Sequence, residues 1–359
     1  MALTVAFIGT GKRRERGSVM GYAMAYTHAE AFSKIEDVEL VAACDIVEEN
    51  VRPFAEQFGI ERVFSDYHEM LAQVKPTAVS ISTWPHLHEQ MVIDCAHAGV
   101  KLIYCEKPMA DTIGGARRMV EVCDETGTML CFNHQRRYGK PFSLAKQMLD
   151  EGAIGELQRI EWDGPNIYDY GSHNFDMAQY FNDEVWPAWV MAQINYHTQE
   201  LWFGAHNEND AVALIAYENG VFGLVATGAA QGLIGAHNRL VGSGGVIEIG
   251  SQAEGAGPLR YRTDRDAEWV NVDTQGEGLH GQVFIERAIA DAVAAWRGGR
   301  RCMMDAHNAI KGTEAIFACW ESSRQRARIQ VPMEAEDNPL QEMVEAGQLK
   351  PAPPKEDRC

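Results

Sequence analysis

Three residues of this sequence have side chains suited to proton movement at a hydroxyl group. They are Lys107 in "YCEKPMA", and Asp169 and His173 in "YDYGSHNFDM". A neutral imidazole titrates near pH 7 and can accept a hydroxyl proton. An ammonium can hold the charge that then develops on oxygen. A lysine can also be the base, but it must give up far more of its ordinary basicity. Asp169 and His173 stand four apart and share one face if the segment is a helical turn. Asp176 follows a turn later. A second feature lies at the start of the chain. The apolar run Val5 to Ile8 meets Gly9-Thr10-Gly11 at once, as a strand meets a phosphate-binding turn.

That turn then departs from the usual pattern. Lys12, Arg13, Arg14 and Arg16 intervene, with Gly17 and Gly21, before a helical pattern begins. Asp45 ends the second apolar strand in "VAACDI", 45 − 11 = 34 residues past Gly11. A ribose-binding acid ordinarily lies about 20 residues past the third motif position, where Gly or Ala is accepted. Counting back from Asp45 reaches Ala25. The expectation is a dinucleotide site with Gly9, Gly11 and Ala25 as its three positions and residues 12–21 looped out. Asp45 would accept from ribose hydroxyls and repel a 2′-phosphate, which favours NAD over NADP. The competing reading makes Asp45 a helix cap. The basic loop is either solvated or brings a guanidinium such as Arg14 to a pyrophosphate or an anionic substrate group.

The elements that must position these residues fall into two patterns. Up to residue 135, short apolar runs (Thr4–Ile8, Val38–Ala43, Ala78–Ile81, Lys101–Tyr104, Met129–Phe132) alternate with helical stretches near Ala23–Ser33, Glu48–Phe58, Leu87–Ala98 and Gly114–Thr126. This predicts a doubly wound parallel sheet of the Rossmann type. From 136 to 332 the strands lengthen and follow one another, with an Asn219-Gly220 hairpin turn. A mostly antiparallel, open-faced sheet is expected there, with two late helices near Gln282–Trp296 and Asp305–Gln325. Residues 333–359 read as an extended or partly disordered arm.

The segments "CEKP" and Asp169-x-x-x-His173, with weaker support from "STWPHLH", "HAEAF" and "DEGAIGEL", resemble the glucose–fructose oxidoreductase / inositol dehydrogenase (Gfo/Idh/MocA) family. The resemblance runs from Val5 to about Pro332. It implies NAD as cofactor, contacted by Gly9, Thr10, Gly11, Asp45, Ser82, Thr83, Trp84, His88, Glu106 and Lys107. It implies Lys107, His173 and Asp169 as the catalytic set, acting on a secondary hydroxyl, with C3 the expected position, of a sugar, polyol or glycoside. The expected substrate wall adds Asn166, Tyr168, Tyr170, Arg136 and Arg14. Two departures alter that wall: only Gly164 precedes the Asp169 motif where the family often has a glycine run, and the connection from the Leu157–Trp162 strand to the motif is short. Trp84 stands where a proline is usual, and reads either as a side chain near the cofactor or a sugar face or as a core aromatic. The resemblance also implies a homodimer or homotetramer formed through the second sheet, with Trp189, Met191, Leu214 and Phe222 as candidates.

Composition narrows the remaining choices. The chain has 359 residues and a net charge of −19, which speaks for two domains and against nucleic-acid or anionic-membrane partners. No apolar run approaches a membrane span, and the start lacks a signal-peptide order. Eight cysteines without a CxxC pair read as reduced thiols in a cytoplasmic protein with no metal site. Two other functions use the same residues. One is an NAD-dependent glycoside hydrolase that oxidises, eliminates, adds water and reduces back, with Tyr168 or Tyr170 as an extra base. An anionic sugar such as a sulfoquinovoside or uronate glycoside would be one substrate for it. The other is a non-catalytic NAD-binding sensor or structural protein, against which the intact set of Lys107, Asp169 and His173 argues.

Overall fold

The computed structural model describes residues 2–12 and 23–353. Arg14 and the expected anion contact of the basic loop therefore lie outside the described residues. The chain divides into two compact units. The first comprises Met1–Ala110, Gly115–Gln135 and Gln282–His307; the second comprises Asp111–Gly114, Arg136–Gly281 and Asn308–Cys359.

In the first unit, β1 (Leu3–Ile8), β2 (Val38–Cys44), β3 (Arg62–Phe64), β4 (Ala78–Ile81), β5 (Leu102–Cys105) and β6 (Met129–Phe132) form one parallel sheet in the order β3-β2-β1-β4-β5-β6. Both β4 and β5 are buried along their whole length, as strands covered on two faces must be. The strand order reverses between β1 and β4, and ligands of such sheets lie beyond the carboxyl ends at that point. The turns carrying Gly9 and Ser82 both leave the sheet there. Neither β3 nor the helix Tyr67–Val74 is apparent in the sequence pattern, because a three-residue strand has too little periodicity to read.

The helix Gln282–Gly298 belongs to the first unit, not to the second as the sequence pattern suggests. Lys34 meets Glu286 at 2.7 Å, and Gln282 donates to Glu30. Its buried stripe of Phe284, Ile285, Ala288, Ile289 and Ala292 is plain in the sequence. Periodicity shows that a face is buried, but not which surface covers it.

In the second unit, β7 (Leu157–Gly164), β8 (Pro187–Asn195), β11 (Asp210–Tyr217), β12 (Phe222–Thr227), β13 (Ala236–Gly242), β14 (Gly245–Ser251), β15 (Leu259–Thr263), β16 (Asp266–Asn271) and β17 (Ile329–Gln330) make a nine-stranded sheet. Its order is β16-β15-β14-β13-β7-β12-β11-β8-β17. Only the β7–β12 pairing is parallel. The short strands β9 (Leu201–Trp202) and β10 (Ala205–His206) pair separately. Side chains alternate across the sheet, as strand geometry requires. Ala211, Ala213 and Ile215 are buried, while Val212 and Leu214 of the same strand, with Met191 and Phe222, are exposed. The buried face is covered in part by the helix Ala306–Gln325, whose Ser322 accepts from the backbone of Ala192. Among the described residues, no helix is long and apolar enough to cross a membrane.

The segment from Met333 to Pro353 is not the arm that its composition suggests. It contains the helix Pro339–Glu345, capped by Asn338, whose side chain accepts from Gln341 N and donates to Asp111 O. Ala352 pairs with the backbone around Thr198. Four apolar side chains (Met333, Pro339, Leu340, Met343) are buried. They are too sparse among Glu, Gln and Pro for composition to reveal them. Replacing the fully buried Leu340 with Ala should therefore cost about 2–5 kcal/mol, the range for a core leucine. Urea unfolding of the two proteins measures it; a change below ~0.5 kcal/mol would mean that the segment does not hold the core.

Candidate active site

The first unit supplies one group of candidate residues from its strand ends. Gly9 has φ +80°, and a Cβ placed there would lie 2.6 Å from Thr83 Cγ2 and 2.8 Å from Ser82 O. The turns after β1 and β4 are thus in contact, and only glycine permits it. Asp45, at the end of β2, fixes the Gly9 turn from the side. Its Oδ2 accepts from Thr10 N, Thr10 Oγ1 and Gly11 N at 2.9–3.1 Å. Its Oδ1 accepts from Val47 N at 2.9 Å, a local turn bond. The cap position of the helix Glu48–Phe58 is Val47, so Asp45 is not that helix's cap. Ala25 is buried in the helix Met24–Ser33.

Behind Lys107 lies a buried polar cluster. Glu106 Oε1 pairs with His28 Nε2 at 3.0 Å and accepts from Asn133 Nδ2 at 2.7 Å. Its Oε2 accepts from the backbone N of Lys107 at 3.1 Å. His28 Nδ1 reaches Ser80 Oγ at 2.9 Å, and Tyr104 donates to Asn133 Oδ1 at 2.7 Å. Burial pushes the Glu106 carboxyl up, but the bonds and charges of His28, Lys107 and Asn133 outweigh it. The carboxyl pKa therefore lies below its usual value.

Glu106, like Asp45, turns both oxygens to donors within the unit. One expected cofactor contact is corrected by this arrangement. His88 is wholly buried, with Nδ1 at 3.0 Å from Pro108 O and Nε2 at 3.1 Å from Thr83 O. It braces the turn after β4 against the turn after β5, and neither ring nitrogen remains for a ligand. Ser82 and Thr83 stay at the Gly9 contact, with Thr83 Oγ1 donating to Met91 Sδ. Trp84 is 52 % exposed beside His86, so it is not a core aromatic.

The second unit supplies the other group around the helix Gly171–Phe181. His173 lies in its first turn and is 7 % exposed; Asp169 stands just before the cap residue Tyr170. The segment leading in is fixed by its backbone. Ile167 N donates to Glu208 Oε1 at 2.6 Å, Asp169 N to Asn207 Oδ1 at 3.0 Å, and Tyr170 N to Asn166 Oδ1 at 2.9 Å. Glu208 Oε2 accepts from Trp320 Nε1 at 3.0 Å. Burial pushes the Glu208 carboxyl up to about 7 against these neutral donors. Asn207 and Glu208 brace the segment that carries Asp169, and the sequence pattern does not show it: "GAHNEND" is a polar loop that either closes over a site or is a turn, and only the burial of its carboxyl group marks it.

Several wall candidates change role. Tyr168 is 2 % exposed and packs on Phe317 and Trp320. Its hydroxyl pKa is pushed well up by burial, so it is a core residue and no base. Asn166 is buried and holds the turn into the helix, not the substrate wall. Tyr170 stays half-buried beside Gly164, where a Cβ would come within 3.1 Å of its ring. Arg136 and Arg137 diverge. Arg137 pairs through Nε (2.8 Å) and Nη2 (2.7 Å) with Asp176, and also with Glu184, a structural cross-link. Arg136 is buried against Tyr170 and Asn174.

Residues 3–134 match the family profile described as oxidoreductase family, NAD-binding Rossmann fold. Residues 156–331 match the companion profile, oxidoreductase family, C-terminal alpha/beta domain. The chain belongs to the Gfo/Idh/MocA oxidoreductase family. Its first unit is the family's NAD-binding Rossmann domain, and the side-chain-free Gly9 turn with the carboxylate of Asp45 on the neighbouring strand fits that cofactor. Similar relatives include a myo-inositol 2-dehydrogenase of Thermotoga maritima, 28 % identical over 55 % of this chain and 63 % of that protein. A D-glucoside 3-dehydrogenase of Escherichia coli is 27 % identical over 50 % of this chain and 53 % of that protein. The chain thus matches less than two thirds of either relative. An oxidoreductase from Agrobacterium radiobacter, solved with NAD+, L-tartaric acid and magnesium, superposes with a TM-score of 0.75 at 21 % identity, covering 92 % of this chain and 99 % of that one.

Glu106 shows how far its cluster supports the fold. His28→Ala removes the imidazole partner and leaves a buried carboxylate short of a donor. Leaving a buried polar group short of its hydrogen-bond partner costs about 1–3 kcal/mol, and more for a charged one. Thermal unfolding should register it as a marked fall in Tm at pH 7. The difference should shrink as pH falls through the depressed Glu106 pKa, because the carboxylate's contribution exists only above it. An unchanged Tm at pH 7 would mean that His28 does not support the carboxylate.

Proposed function

We propose that this protein is an NAD-dependent dehydrogenase acting on a secondary ring hydroxyl, at C3 of a sugar or glycoside or the equivalent carbon of a polyol. The observation that carries the reading is the bracing of Asp169. A buried carboxylate (Glu208) and an asparagine (Asn207) hold the backbone of the segment that presents Asp169 and His173. Fixing a turn this way is what an acid–base pair needs.

Bound NAD would take the hydride from the carbinol carbon. His173 would remove the hydroxyl proton, and Asp169 would orient the imidazole or bind a neighbouring hydroxyl. Lys107, on the turn after β5, would hold the developing charge on oxygen. Gly9, Thr10, Gly11, Asp45, Ser82, Thr83, Trp84 and Lys107 would bind the cofactor. The two relatives named for ring-hydroxyl oxidation support this substrate class. A redox-cycling hydrolase would need a further base for the carbon beside the oxidised one. Tyr168, one of its two candidates, is a core residue, which favours the simple dehydrogenase.

The purified protein with NAD and a panel of sugars, polyols and aryl glycosides should give net NADH. His173→Ala should lower kcat/KM by roughly 10²–10⁴-fold, the usual worth of a general base, with NAD binding kept. Aglycone release without net NADH would replace the dehydrogenase with the hydrolase. Full activity of His173→Ala would remove the histidine from the mechanism.

The exposed apolar stripe of Met191 (57 % exposed), Val212, Leu214 and Phe222 supports self-association through the open sheet face. Light scattering should find a dimer or tetramer; a monomer at micromolar concentration would reject it.

A further inference from the structure

Arg136 is 2 % exposed, and a guanidinium keeps its charge at every pH at which a protein is folded. A buried charge is unfavourable unless an opposite charge meets it. The other buried or half-buried arginines of this unit obey that rule. Arg137 has Asp176 and Glu184, Arg239 has Glu161 and Glu248, Arg260 has Glu248, and Arg324 has Glu321 and Asp337. Arg136 does not. Its Nη1 donates to Asn174 Oδ1 at 2.7 Å and to His237 Nε2, and its plane lies over the Tyr170 ring at 4.6 Å. No carboxylate among the described residues forms an ion pair with it. Asp176, the acid whose charge it feels, is already bound on both oxygens by Arg137.

The surrounding imidazoles add no negative charge and no competing positive one. His237 Nδ1 lies 2.5 Å from Asn238 Oδ1. It must donate there, which leaves Nε2 as the acceptor facing Arg136, the neutral tautomer. Burial and the Arg136 charge hold His280 down to about 4, so it too is neutral at pH 7. The cluster therefore carries one positive charge. With Nη1 engaged, the Nε edge remains, and Nε is buried with no hydrogen-bond partner among the described residues. That edge is the one a carboxylate approaches side-on. Tyr170 and Asn174, which hold the guanidinium, are four apart on the helical turn that carries His173. An anion bound there would lie against the same turn as the proposed base. His280, which feels the Arg136 charge, is itself an exposed residue.

The geometry points to a substrate that bears an oxyanion, a sugar acid in the first instance, with Arg136 as the residue that binds it. This rests on the dehydrogenase reading above. It narrows the substrate from sugars in general to acidic ones.

The test measures NAD reduction by the full-length protein with methyl β-D-glucuronide, methyl β-D-glucoside and glucose 6-phosphate. The expected result is a kcat/KM at least 100-fold higher for an acidic sugar than for the neutral glycoside. Preference for the phosphate ester over the glucuronide would identify the larger oxyanion as the natural group. Arg136→Lys, which keeps the charge but loses the fork, should lower the acid-to-neutral ratio at least tenfold, mostly through KM. Equal use of acidic and neutral sugars by the wild type overturns the inference and leaves the dehydrogenase standing, whether or not the variant folds. If no sugar is oxidised, the dehydrogenase reading fails, and calorimetry with glucuronate and NAD decides the anion site separately. Binding to the wild type but not to Arg136→Lys supports it, and no binding overturns it.

Discussion

The first unit depends on one buried carboxylate. Glu106 sits at the end of β5 and joins His28 from the helix after the glycine turn, Asn133 from the end of β6, and the backbone of Lys107. Through His28 the cluster also reaches Ser80 of β4. Elements from distant parts of the sequence are thus locked at the carboxyl edge of the sheet. A buried charge tolerates this only if its bonds are complete, so the cluster enforces the geometry that satisfies it. Lys107 leaves from this fixed point, and the lysine's backbone is part of the network that holds it.

The second unit uses a buried carboxylate for a similar purpose with different electrostatics. Glu208 bridges Ile167 N and Trp320 Nε1, both neutral donors. Without a cation beside it, burial dominates and its pKa rises to about 7. Glu106, beside an imidazole and an ammonium, moves the other way. Two similar carboxyl groups thus hold opposite protonation tendencies, set by the charge of their partners and not by burial alone. Both nevertheless act locally on the backbone. Glu106 fixes the turn before Lys107, and Glu208 fixes the turn before Asp169.

Arg136 and Arg137 show the same principle for cations. Adjacent in sequence and equally buried, they differ in what meets them. Arg137 is closed by two carboxylates and reads as framework. Arg136 meets an amide, an imidazole and an aromatic face, and no carboxylate among the described residues pairs with it. Nothing in "NHQRRY" distinguishes them, because the distinction is made by residues 38 to 101 positions away along the chain.

The sequence by itself determined the alternation of five strands and four helices in the first unit, without β3 and the helix beside it, together with the family, the glycine turn, Asp45 at the end of β2, and the positions of Lys107, Asp169 and His173. These rest on periodicity and short motifs, which are local properties of the chain. Only the tertiary structure decided that Gln282–Gly298 packs with the first unit, that the C-terminal segment is folded, that Tyr168 and Asn166 are internal, that His88 and Glu106 brace turns, and that Asn207 and Glu208 hold the Asp169 segment. Each of those depends on which distant side chain arrives to bury, bond or neutralise a residue. Sequence spacing carries no record of that, since a buried polar group and a solvated one are written with the same letters.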